Sequence, residues 1–65
     1  MNHPCYYTLG GCLIRMWAEP GADGWLEQIM IEERPGRELF RFTTGPYATR
    51  EIAEETIRQR MRWRA

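Results

Sequence analysis

The sequence predicts an α+β fold: a three-stranded antiparallel β-sheet, wound as a meander, with one C-terminal α-helix packed on one face. Three observations predict it. Residues 24–33 place Trp25, Ile29 and Ile31 on one parity, and aromatic and β-branched residues suit a pleated, half-buried strand. Two further alternating stretches lie just before and after it, across segments rich in Pro and Gly. Beyond them the apolar period changes from two residues to that of a helix.

The strand before it is Cys12 to Glu19. Its even positions (Cys12, Ile14, Met16, Ala18) are all apolar, whereas its odd positions are Leu13, Arg15, Trp17 and Glu19. The even side is the expected core side. Pro20-Gly21-Ala22-Asp23-Gly24 is a turn by composition. After the central strand, Arg34-Pro35-Gly36-Arg37 carries Pro and Gly at the middle of a turn, and Glu38 to Phe42 forms the third strand. Facing Arg34 with Arg37 also faces Ile31 with Phe40 and Ile29 with Phe42, so turn position and apolar pattern agree on the register. The same register sets Glu33 against Glu38, a mild repulsion that a bulge near the turn relieves.

Thr43 to Ala48 ends the sheet. Thr49 is placed as a helix N-cap, with Glu51 and Glu54 early in the helix and the arginines late, an order that complements the macrodipole. The helix is expected over 50–63. Ile52, Ala53, Thr56, Ile57 and Met61 form its apolar stripe with Trp63 at the edge, and Glu54–Arg58 is an i,i+4 pair. It is expected to cover the sheet face bearing Ile14, Met16, Trp25, Ile29, Ile31, Phe40 and Phe42.

Met1 to Leu9 reads as an N-terminal arm, extended or forming a short strand at Tyr6-Tyr7-Thr8-Leu9, with Pro4 opposing regular structure. Gly10-Gly11 suits either a tight hairpin turn, since both residues tolerate positive φ, or a flexible joint.

The 65 residues make one domain, 1–65. A domain this small buries only about 60% of the surface its unfolded chain exposes, and disulfides, metals or oligomerisation often add stability. The 43% hydrophobic and 28% charged content is that of a globular chain. Nine basic residues, every one Arg, balance nine acidic ones. That neutrality disfavours long-range attraction to nucleic acid or an anionic membrane. No stretch is apolar and long enough to span a bilayer, and no basic segment followed by an apolar run opens the chain. A cytoplasmic location with reduced thiols is the expectation.

One helix covers one face of a sheet. The other face is expected to carry Leu13, Arg15, Trp17, Leu26, Gln28, Met30, Glu32, Leu39 and Arg41. Five of these are large and apolar, and an apolar patch with a polar rim on a small domain marks an interface. Trp and Arg are enriched at binding hot spots. The occupants weighed are the N-terminal arm folding back with Tyr6 and Tyr7, a second copy of the chain, and a separate protein or nucleic acid.

Enzymatic sites find little support. His3, Cys5 and Cys12 could supply three metal ligands, but the close ligand pairs of zinc sites are missing, and Cys12 has core parity as a free thiol. A Cys5–Cys12 disulfide does not suit a reducing compartment. His3 is the single histidine, Ser is absent, and no phosphate loop or nucleophile motif occurs. No cofactor, metal or small-molecule substrate is expected. Arg58, Arg60, Arg62 and Arg64 fall on two helix faces, Arg58 with Arg62 and Arg60 with Arg64, the latter nearer the sheet. They read as dipole complementation rather than a nucleic-acid stripe.

The order Tyr7-Thr8-Leu9-Gly10, Arg15, Trp17, Gly24-Trp25, Pro35-Gly36, Phe42-Thr43 and Ala48-Thr49-Arg50-Glu51-Ile52-Ala53-Glu54-Glu55 resembles small uncharacterised bacterial domains with a "GW" strand and a C-terminal "ATREEAE" helix. That resemblance spans roughly residues 7 to 63 and implies a fold without an activity. A looser likeness is to three-stranded-sheet DNA-binding domains of the ethylene-response-factor and integrase N-terminal type. It implies major-groove contacts from Arg15, Trp17 and Arg41, although Glu19, Glu32, Leu26, Met30 and Leu39 on the same face depart from those basic sheets. The functional expectation is a non-enzymatic interaction module acting through the open sheet face, by self-association or with a protein partner, with DNA binding as the alternative.

Overall fold

The computed structural model describes residues 5–64. His3 and the side chains of Cys5, Tyr6, Tyr7 and Trp63 lie outside the described residues, and with them the metal-ligand set, the covering tyrosines and the edge of the helical stripe. The elements are β1 (Cys5–Leu9), β2 (Cys12–Gly21), β3 (Gly24–Arg34), β4 (Arg37–Tyr47) and α1 (Arg50–Arg64). The strands form one four-stranded antiparallel sheet in the order β1-β2-β3-β4.

The expected three strands are therefore corrected to four. The added strand is the segment read as an extended arm or a short strand, and it takes the second form: Cys5 to Leu9 pair with Met16 to Cys12, extending the sheet in its own plane. Gly10 and Gly11 make the connecting turn at φ 58° and 82°, the sign that a two-residue hairpin needs at both central positions. The second turn is tighter than expected. Gly21 faces Gly24, so only Ala22 and Asp23 lie between the strands. Pro20 stands inside β2, beyond Met16, where the pairing of β1 with β2 ends among the described residues, and a Pro is tolerated in a strand where no ladder partner needs its N–H.

The β3–β4 register is the expected one: Arg34 faces Arg37, Ile31 faces Phe40 and Ile29 faces Phe42. Near the turn Glu32, not Glu33, faces Glu38. Leu39 is an extra residue in β4 and Glu33 an extra residue in β3, a pair of offsetting bulges. The third strand also runs beyond Phe42 to Tyr47, with a further irregularity opposite Leu26.

Gly24 opens β3 at φ 147°, and a Cβ there would lie 2.5 Å from the Tyr47 carbonyl oxygen. Strain and overlap act together at this position. Gly24→Ala is expected to destabilise the fold by roughly 2 kcal/mol, measurable by urea unfolding. A loss within experimental error would show that the β3–β4 contact relaxes freely.

Thr49 caps α1, its Oγ1 accepting from the Ile52 N–H at 3.2 Å. Ala53 and Ile57 bury against Ile14, Met16 and Ala18, with Trp25, Ile29, Ile31, Tyr47 and Met61 packed around them. Three residues expected in the helix–sheet contact are outside this core. Phe40 and Phe42 share the helix-side face with Ile31 and Ile29 yet remain 61% and 53% exposed, and Ile52 is exposed as well. The expected Glu54–Arg58 pair is replaced by Arg50–Glu54 at 3.0 Å and Arg58–Glu55 at 2.9 Å. Arg62 joins Arg58 on Glu55, and Arg58's hydrogen bond first, then Arg62, holds that carboxyl below its ordinary pKa.

Arg60 turns the other way, toward the sheet. Glu27 is completely buried on the helix side of β3. Arg60 Nε donates to its Oε2 at 2.6 Å, and Thr44 Oγ1 donates to its Oε1 at 2.7 Å. The Tyr47 hydroxyl lies 2.9 Å from Thr44 Oγ1. A buried carboxylate is tolerated only when its lone pairs find donors, and this cluster supplies them from β4 and α1 together. Among the described residues, no helix is long and apolar enough to cross a membrane.

Candidate functional site

The face opposite α1 has no second layer from the described residues. Antiparallel pairing sets Leu13 beside Glu32, Arg15 beside Met30, Trp17 beside Gln28 and Glu19 beside Leu26. From β4, Arg41 stands beside Met30 and Thr43 beside Gln28. Cross-strand neighbours share a face, so the alternation in β2 and β3 delivers these side chains to one surface.

Its centre is a stack across three strands. The Arg41 guanidinium lies over the Trp17 ring, 5.8 Å from its centroid, within the range of cation–π attraction. Arg41 Nη2 also approaches Met30 Sδ at 3.3 Å. Glu38 fixes Arg41 from the turn side by two contacts, 3.0 Å to Nη2 and 3.3 Å to Nε. The hydrogen bond to Glu38, followed by the carboxylate's charge, raises the Arg41 pKa above its ordinary value.

A hydrogen-bonded chain flanks the stack. Trp17 Nε1 donates to Glu19 Oε1 at 2.9 Å and Gln28 Nε2 donates to Glu19 Oε2 at 3.3 Å. Thr43 Oγ1 donates to Gln28 Oε1 at 2.8 Å. Toward the β3–β4 turn, Gly36 N–H donates to Glu32 Oε2 at 2.9 Å. Arg15 Nε lies 2.8 Å from Glu32 Oε1. The N–H is not aimed along that contact: it is an ion pair by distance, and Oε1 has no aligned hydrogen-bond donor.

Five of the expected site residues, Arg15, Trp17, Gln28, Met30 and Arg41, thus form one cluster. Within it Gln28 is a buried strut rather than a contact residue, and Glu32 beside it is buried too. Leu13 and Leu26 are half-buried at opposite ends, Leu26 resting against Gly21. Leu39 departs most from expectation. It is the extra residue of a bulge, exposed, and outside the alternation that was to bring it to the centre. Glu27, Phe40 and Phe42 carry equally informative geometry on the other face; the parity of Glu27 with Trp25 and Ile29 is the sequence signal for its place.

No group of three or more His, Cys, Asp or Glu side chains placed to hold a metal occurs among the described residues. Comparison with protein-family models, curated proteins and solved structures returns no match. The geometry of this chain alone bears on its function.

Proposed function

We propose that this domain is a non-enzymatic interaction module that binds a protein partner through the open sheet face centred on Trp17, Met30 and Arg41. The observation that carries the reading is the Trp17–Arg41–Met30 stack on a sheet face that no second layer of described residues covers. It is held in place by Glu19, Gln28 and Glu38. An aromatic anchor already fixed by its neighbours loses little conformational freedom on binding. Most polar groups around it have partners within the face, so a protein surface can cover the apolar centre and leave the rim in water.

Ion pairing favours protein over DNA as the partner. Arg15 and Arg41, the two residues placed for groove contacts, each sit against a carboxylate of the same face. With Glu19 added, the face has no surplus positive charge to exchange for the counterions of a duplex.

A photo-crosslinking side chain at Leu13, on the rim, is expected to trap a discrete protein adduct in the source cells; one placed at Gln59 on α1 is not. Trp17→Ala should keep the far-UV circular dichroism and lose the adduct, since removing such an anchor typically costs about 2 kcal/mol or more of binding, roughly thirtyfold in Kd. Equal adducts from both positions, or an adduct that survives Trp17→Ala, would remove the open face. Steeply salt-dependent binding to duplex DNA, weakened by Arg15→Ala, would replace the protein partner with DNA.

A further inference from the structure

A second surface stands apart from the one just described. β4 is an edge strand of eleven residues, Arg37–Tyr47, paired on one side only. On its helix side Phe40 and Phe42 stack on each other, centroids 6.3 Å apart, and both are more than half exposed. Ile52 is exposed on the helix that occupies this same side of the sheet. A long free strand edge with an apolar side is a template for another strand.

We propose that two copies of the chain join edge to edge through β4, antiparallel about a two-fold axis, into a continuous eight-stranded sheet. Phe40 and Phe42 of the two copies then close against each other between the two helices.

Four considerations identify the occupant as a second copy. The occupant must supply an extended strand with apolar residues on one side and polar ones on the other, and β4 has that pattern itself, with Phe40 and Phe42 opposite in sense to Arg41 and Thr43. A two-fold axis perpendicular to the sheet keeps helix side with helix side. Passing it through Arg41 sets Phe40 of each copy opposite Phe42 of the other, so one register engages all four rings. Charge does not oppose it. The chain carries formal net charge zero, and although the two Arg41 backbones meet at the axis, each guanidinium is turned inward over Met30 and Trp17 and paired with Glu38. Exposed area favours it too. The two rings leave on the order of 200 Å² per copy in water, toward the roughly 800 Å² per partner of a stable interface, and exposed Leu39 and the eleven-residue strand edge add to that. The helix side of β4 and the Trp17 face are separate surfaces, so dimerisation leaves the proposed binding face open and presents it twice.

Sedimentation velocity from micromolar to millimolar concentration tests the dimer. The wild-type chain is expected to dimerise, with amide exchange of residues 39–43 slowing as the dimer forms. Phe40→Glu with Phe42→Glu should weaken dimerisation by about a hundredfold or more. Because both rings are exposed in the single chain, its circular dichroism should be retained; Phe40→Ser serves the same purpose should the double variant unfold. Trp17→Ala should leave the dimer intact. A wild-type chain that stays monomeric at millimolar concentration overturns the proposal, as does a dimer indifferent to the Phe variants. Loss of the dimer on Trp17→Ala would transfer self-association to the open face.

Discussion

Arg60→Ala is expected to destabilise the domain by about 3 kcal/mol, although Arg60 itself is 42% exposed. The loss comes from the group left behind. Glu27 has no exposed surface, and without Arg60 its carboxylate keeps, among the described residues, the Thr44 hydroxyl as its donor at 2.7 Å. Breaking a buried pair by removing one partner costs roughly 3–5 kcal/mol, and water reaching the exposed end of the site places this case at the lower end. A domain of this length has on the order of 3–10 kcal/mol in total, so the single substitution takes a large share. Glu27→Gln should be milder, about 1 kcal/mol: the amide oxygen still accepts from Thr44, and no uncompensated charge is left buried. The double variant separates the two accounts. If the uncompensated charge is the cause, adding Glu27→Gln to Arg60→Ala restores about 1–2 kcal/mol, a coupling that urea unfolding at fixed protein concentration resolves. An Arg60→Ala variant within about 0.5 kcal/mol of wild type would mean the pair contributes nothing.

That contact also marks where the sequence was legible and where it was not. Alternation in residues 24–33 fixes parity, and parity alone sets Glu27 among core residues. Its partner lies 33 positions further on, and no local pattern connects the two. The β3–β4 register was legible because turn residues and phenylalanines pointed to the same pairing. The helix was legible from Thr49 and the acidic-to-basic order that follows. β1 was not: five residues behind Pro4, joined through two glycines that suit a hinge as well as a turn, become a strand only by pairing with β2, and such tertiary context overrides propensity.

Coverage is a separate matter from parity. A helix with its side chains is about 10–12 Å across, and strands are about 4.8 Å apart. One helix therefore shields about two strands of four. α1 lies mainly over β2 and β3, so Phe40 and Phe42, on the correct face, remain uncovered. The open face shows the converse. Gln28 and Glu32 are buried there with no second layer among the described residues, because long neighbours such as Trp17, Arg15 and Arg41 lie across the sheet, while Glu19 and Thr43 hold the Gln28 amide and the Gly36 N–H and Arg15 meet the Glu32 carboxylate. Leu39 was lost to the alternation by a bulge, which inserts one residue and breaks the two-residue period.

The same distinction predicts opposite outcomes for two isoleucines that sequence places on one helical stripe. Ile57 is 4% exposed and belongs to the buried cluster, whereas Ile52 is 47% exposed. Ile57→Ala is expected to destabilise by about 3 kcal/mol, the transfer free energy of the lost methylenes plus the cavity left among Met16, Ala18 and Ala53. Alanine's higher helix propensity offsets only a few tenths of that. Ile52→Ala should change unfolding by no more than about 0.5 kcal/mol at concentrations too dilute for self-association. Its effect is expected instead in the concentration dependence, because Ile52 is exposed on the helix that shares one side of the sheet with Phe40 and Phe42. Equal losses at the two positions would mean that α1 is rotated about its axis relative to the packing described, with the Arg60–Glu27 contact displaced along with it. Because Arg60 and Ile57 are three residues apart and share the sheet-facing side of the helix, a large loss at both with a small one at Ile52 fixes the rotation of α1 on the sheet from solution data alone.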